Sequence, residues 1–107
     1  MAKIPGNPCT SSCPIKRAMD ILDGKWTMLI IRDLLGGKKR FGELRYSLEG
    51  VSPKMLTQRL KQLEEEQIIR KISYPVMPPK VEYELTEKGH QLRPVIESLA
   101  VWGNELI

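Results

Sequence analysis

The segment Val51-Ser52-Pro53-Lys54-Met55-Leu56-Thr57-Gln58-Arg59-Leu60-Lys61-Gln62-Leu63 carries the signs of one amphipathic helix. Ser52 suits the N-cap, because its hydroxyl can accept a hydrogen bond from a first-turn amide. Pro53 suits the first helical position, where no amide hydrogen bond is required. Leu56, Leu60 and Leu63 recur at helical spacing and form one seam. At about 100° per residue, Lys54, Gln58 and Lys61 fall opposite that seam, with Thr57 and Gln62 at its flanks. The helix is expected over about residues 52–67.

Its charges run against helix stability. The macrodipole favours acids at the N-terminus and bases at the C-terminus, by roughly 0.3–1 kcal/mol each when exposed. Here Lys54 lies near the start and Glu64-Glu65-Glu66 near the end. A local rule broken without structural gain points to function. A helix that enters the DNA major groove by its N-terminal end explains the inversion, since bases then meet phosphate and acids lie further from the duplex. The plainer alternative is a solvated face.

On the N-terminal side, Lys38-Lys39-Arg40 leads into a short stripe of Phe41, Leu44 and Leu48, which Glu49-Gly50 breaks. Before it, Lys25 to Leu35 reads as a nearly all-apolar helix stopped by Gly36-Gly37. A first helix begins at Pro14, with Ile15, Ala18, Met19 and Leu22 in its stripe, and ends at Asp23-Gly24. On the C-terminal side, Ile69 to Tyr74 and Val81 to Leu85 read as strands, with alternation at Ile72 and Tyr74 and at Val81, Tyr83 and Leu85. The loop between them holds Pro75, Pro78 and Pro79, which forbid regular pairing. Thr86 then opens one last helix, over about 86–106, whose stripe is Leu92, Val95, Ile96, Leu99 and Trp102.

The order predicts a mainly α fold with a small β-hairpin: a winged helix-turn-helix with a three-helix core, a wing over about 69–85, and further N- and C-terminal helices. Residues 1–12, rich in Pro, Gly, Ser and Asn, read as a flexible arm, and residues 13–107 as one domain. Arg70, Lys71 and Lys80 make the wing basic at both shoulders, and Lys38, Lys39 and Arg40 add a third basic cluster. The candidate DNA contacts are therefore Arg40, Ser52, Lys54, Thr57, Gln58, Lys61 and Lys80. A net charge of +4 permits nucleic acid or an anionic membrane but selects neither. No apolar run reaches the length of a membrane span and no signal peptide is visible, so the cytoplasm is the expected location.

Five segments in this order resemble the HxlR-type winged-helix regulators, relatives of the MarR group. They are Cys13-Pro14-Ile15, Gly24-Lys25-Trp26-Thr27 with Leu29 to Leu35, Arg40 to Leu44, Val51 to Leu60, and Pro79 to Gly89. The resemblance spans about residues 13–102. It implies a homodimer built on the terminal helices, with the helix from Ser52 in the major groove, and repression or activation of nearby genes. The candidate interface residues are Ile15, Leu92, Val95, Ile96, Leu99 and Trp102; the alternative is that the last helix merely covers the protomer core. Two copies about 34–36 Å apart would read a palindromic operator in double-stranded DNA.

The chain has two cysteines, Cys9 and Cys13, too few to staple a secreted fold and expected to be thiols by default in the cytosol. The resemblance places Cys13 where some relatives sense oxidants or electrophiles. A helix N-terminus, with Lys16 and Arg17 nearby, favours its thiolate, and Cys9 is the candidate resolving thiol. The alternative is a structural cysteine beside an unrelated one in the arm. With one histidine, His90, and no paired metal-ligand spacing, no metal site or cofactor is expected. No nucleophile–base pair, acid pair or phosphate loop appears, so no enzyme activity is expected. Two further readings stand beside the DNA one: control by a small apolar ligand held near Trp26, Met28 and Trp102, and a winged-helix protein-interaction module that does not bind DNA.

Overall fold

Proline and glycine punctuation divides the described chain into six helices and one hairpin. The computed structural model describes residues 13–106. In chain order the elements are α1 (Pro14–Ile21), α2 (Lys25–Leu34), α3 (Phe41–Ser47), α4 (Pro53–Glu65), β1 (Ile69–Tyr74), β2 (Lys80–Leu85), α5 (Glu87–His90) and α6 (Arg93–Asn104). Pro14 and Pro53 occupy the first turns of α1 and α4. The turn between α3 and α4 passes through Gly50 at φ +94°, a left-handed conformation that glycine adopts without penalty.

Ile30, Ile31 and Leu34 of α2, Leu44 of α3, and Leu56, Leu60 and Leu63 of α4 form the core, all but closed to solvent. The hairpin seals its edge with Ile69, Tyr83 and Leu85. β1 and β2 pair antiparallel, Ile69 opposite Leu85 through Tyr74 opposite Lys80. Lys39 adds a one-residue bridge to the free side of β2: its N–H donates to the Tyr83 carbonyl at 3.0 Å, and the Tyr83 N–H to its carbonyl at 2.8 Å.

Three expectations change. The C-terminal helix is not continuous: α5 ends at His90 and α6 begins at Arg93. Pro94 has no N–H to return to the carbonyl of residue 90, so the ladder cannot run through. In α1, Ile15 and Met19 are half exposed while Leu22 alone of the stripe joins the core, and no residue of the helix itself is fully buried. Cys13 is not a thiol but disulfide-bonded, and Cys9, the chain's other cysteine, lies outside the described residues, as does the rest of the expected arm. Among the described residues no helix is long and apolar enough to cross a membrane.

Candidate nucleic-acid interface

Helix α4 is held at both ends. Ser52 Oγ accepts from the Met55 N–H at 3.0 Å, so the serine caps the helix and keeps its own proton for an external acceptor. At the other end Gln67 adopts φ +62° and the Ile68 N–H returns to the Leu63 carbonyl at 2.9 Å. The next carbonyls find donors on the following segment: Thr86 Oγ1 donates to the Gln67 carbonyl at 2.6 Å, and Lys88 Nζ to the Glu66 carbonyl at 2.9 Å. The Lys88 ammonium thereby offsets the three glutamates at a helix end that favours cations.

With Leu56, Leu60 and Leu63 buried, Ser52, Lys54, Thr57, Gln58 and Lys61 are all exposed. Neither lysine takes part in an ion pair among the described residues. The face thus combines two cations with amide and hydroxyl groups able to meet base edges. Arg59 does not join it: its guanidinium lies against Gly24 at the start of α2 and donates to Gln62 Oε1 at 2.9 Å.

Arg40 and Lys80 form a second group, on the outer face of the hairpin. Arg40 precedes α3, and its N–H donates to Glu43 Oε1 at 2.8 Å. The Lys39–Tyr83 bridge sets Arg40 beside Glu82 and Lys38 beside Glu84. Across the other edge of β2, Tyr74 Oη donates to Glu82 Oε1 at 2.8 Å and Arg70 Nε pairs with Glu84 Oε2 at 2.8 Å. Lys80 lies 5.0 Å above the Tyr74 ring and 3.9 Å from Glu82 Oε2. The Tyr74 hydrogen bond holds the Glu82 carboxyl below its usual range, helped by Lys80, Lys38 and Arg40. The same hydrogen bond raises the Tyr74 phenol. The basic shoulders of the wing therefore share two carboxylates, Glu82 and Glu84, which sequence spacing alone does not place beside them.

Two exposed residues of α3 stand outside the sequence-derived candidates: Arg45, and Tyr46 at 91% exposure. The burial of Leu44 and Leu48 puts them on the outer face, so the α3 periodicity is the signal that could have found them. Of the expected interface residues, Ile15, Val95, Leu99 and Trp102 are exposed by 43–61%. Leu92 and Ile96 instead pack on the protomer's own core. Trp26 and Met28 pack there too, apart in exposure from Trp102. Among the described residues no group of three or more His, Cys, Asp or Glu side chains is placed to hold a metal ion.

A short helix, a turn, a polar-faced helix and a two-stranded wing define a winged helix-turn-helix. The chain belongs to the HxlR-like helix-turn-helix family, whose model matches residues 21–107. It is 42% identical over 93 residues to the HTH-type transcriptional regulator YdeP of Bacillus subtilis, covering 87% of this chain and 73% of that one. A MarR-family transcriptional regulator from Porphyromonas gingivalis W83 superposes with a TM-score of 0.89 at 40% identity, over 94% of this chain and 99% of the other. The redox regulator HypR in its oxidized form gives a TM-score of 0.85 at 37% identity, over 89% and 98%.

Proposed function

We propose that the protein regulates transcription as a homodimer that binds a palindromic operator, with α4 in the major groove. The observation that carries this reading is the exposed face of Ser52, Lys54, Thr57, Gln58 and Lys61 on a helix fixed at both ends. Lys54 and Lys61 neutralise phosphates, Ser52 donates to one, and Thr57 and Gln58 read base edges. The α3 N-terminus and the wing lie along the flanking backbone. The second protomer docks on Ile15, Val95, Leu99 and Trp102, which stay exposed among the described residues. The test is a fluorescence titration with DNA from upstream of the protein's own and neighbouring genes, at two salt concentrations, against a scrambled duplex. Tight binding over the scrambled control that weakens steeply with salt supports the reading. Equal, weak binding to every sequence, including those selected from random DNA, leaves a protein-interaction module.

Redox control through Cys13 is part of this proposal. Cys13 is buried at the start of α1, the helix that carries the exposed Ile15, and it is disulfide-bonded. A change of its sulfur chemistry would therefore act next to the proposed dimer surface. HypR, a structural neighbour, is solved in both oxidized and reduced forms. Cys13→Ser is expected to bind operator DNA as the reduced protein does and to ignore a thiol oxidant. A mutant that still responds removes Cys13 from the switch.

A further inference from the structure

The outer face of the wing is built as three parallel rows of side chains. The centre row, on β2, holds Glu84 and Glu82; Lys38 and Arg40 flank it on one side, and Arg70, Ile72 and Tyr74 on the other. Lys80, next along β2, folds back over Tyr74 toward Glu82. Four cations thus surround two carboxylates. The Glu82 side chain is only 17% exposed although it lies on the outer face of the sheet. It lies opposite Ile72 in the hairpin register and is bound by a phenol hydroxyl at 2.8 Å and an ammonium at 3.9 Å. A hydroxyl donor and an ammonium converging on one point, with two further cations on the adjoining strand, make an anion site, and here the protein's own carboxylate fills it.

We propose that Glu82 is an internal stand-in for a DNA phosphate: it pairs with Lys80, partly offsets the charge of the neighbouring Lys38 and Arg40, and so limits the share of DNA affinity that these bases supply. The inference rests on the DNA-binding reading and adds to it a residue that opposes binding. A cation already paired inside the protein releases fewer counterions when it meets the duplex, so this face contributes less to the salt dependence than its four bases suggest. The pairing also holds Lys80 over Tyr74 and Glu82, which keeps it from reaching arbitrary backbone. Sequence discrimination is then left to α4.

Glu82→Gln tests this, because glutamine preserves the shape and can still accept from Tyr74 Oη while removing the charge. The probe is one fixed mixed-sequence duplex, titrated with wild type, Glu82→Gln and Glu87→Gln across a salt series. Glu87, an exposed residue of α5, controls for the change in net charge. Glu82→Gln is expected to bind more tightly, with a log Kd against log salt slope steeper by about one, so that its advantage shrinks about three- to fourfold between 50 and 200 mM salt. Glu87→Gln is expected to keep the wild-type slope. An unchanged slope or weaker binding by a folded Glu82→Gln overturns the proposal, as does an equal gain in Glu87→Gln. Wild-type protein that shows no salt-dependent affinity for any duplex fails at the earlier step, and the DNA-binding reading falls with it.

Discussion

Gly89 shows how a single residue can be required by its surroundings rather than by its own conformation. A Cβ there would meet the Ile68 carbonyl oxygen, with Leu85 Cδ2 at 2.9 Å, because α5 lies directly on the strand end that receives α4. Alanine in a helix is ordinarily favoured over glycine by about 1 kcal/mol. Gly89→Ala is nevertheless expected to lose about 1–3 kcal/mol, the usual cost of forcing extra volume into a packed site, as read by urea denaturation. A gain in stability would show that α5 can move off Ile68. Tyr83 supplies the pH dependence. Burial raises its phenol above the usual value, and the Glu64 carboxylate adds to the shift. The folded state therefore prefers the neutral phenol. Its contribution is complete below the unfolded pKa of about 10 and is lost as pH rises from there through the folded pKa. The melting temperature of the wild type is expected to fall across that alkaline window, and that of Tyr83→Phe to fall less. Equal losses would assign the alkaline sensitivity to other groups.

Among the elements, α4 is the one most open to reading from the sequence. Its cap, seam and exposed face all follow from side-chain type and spacing, and the structure places Ser52 on the Met55 amide and Leu56, Leu60 and Leu63 inside. Double replacement Lys54→Ala/Lys61→Ala is expected to weaken DNA binding and to lower the salt slope by about two, roughly 0.9 for each phosphate no longer neutralised. A slope equal to wild type would remove these lysines from the interface. The apparent conflict between the α4 charges and its dipole is only half legible in the sequence. Lys88, which donates to the Glu66 carbonyl, comes from 22 residues further on, and no local pattern reports a partner at that separation. The break between α5 and α6 is hidden for a different reason. The apolar spacing from Leu92 to Trp102 continues in phase and outweighs Pro94, although the missing amide at Pro94 is what stops the ladder. The wing misleads in a third way. Alternation identifies both strands, but it does not give the register. The register puts Ile72 and Tyr74 on the outer face beside Glu82 and Lys80, away from Tyr83 and Leu85. The basic shoulders become a charge ladder only when β1, β2 and Lys39 lie side by side.

At the scale of the whole molecule, α6 has more apolar surface than one protomer can use. Leu92 and Ile96 reach the core near its start, yet none of its residues is fully buried. Val95, Leu99 and Trp102 continue at helical spacing along another face, exposed by 43–61%. Arg93 ties the start of this helix to α2: its guanidinium donates to the Leu35 carbonyl at the end of that helix, at 3.2 Å. A partner docked on α6 would therefore set the spacing of two α4 helices through α2 rather than through a flexible link. Leu99→Glu/Trp102→Glu separates this role from folding, because both side chains are largely outside the protomer core. Sedimentation is expected to show a monomer with an unchanged far-ultraviolet circular dichroism spectrum. Affinity for a palindromic operator should fall towards that for a single half-site, since two heads no longer bind as one unit. The sequence-independent binding of one head, with its Lys54 and Lys61 salt dependence, should survive. A dimer that persists in this variant would place the interface elsewhere. A variant that loses its helical signal would show instead that the α6 face belongs to the protomer fold.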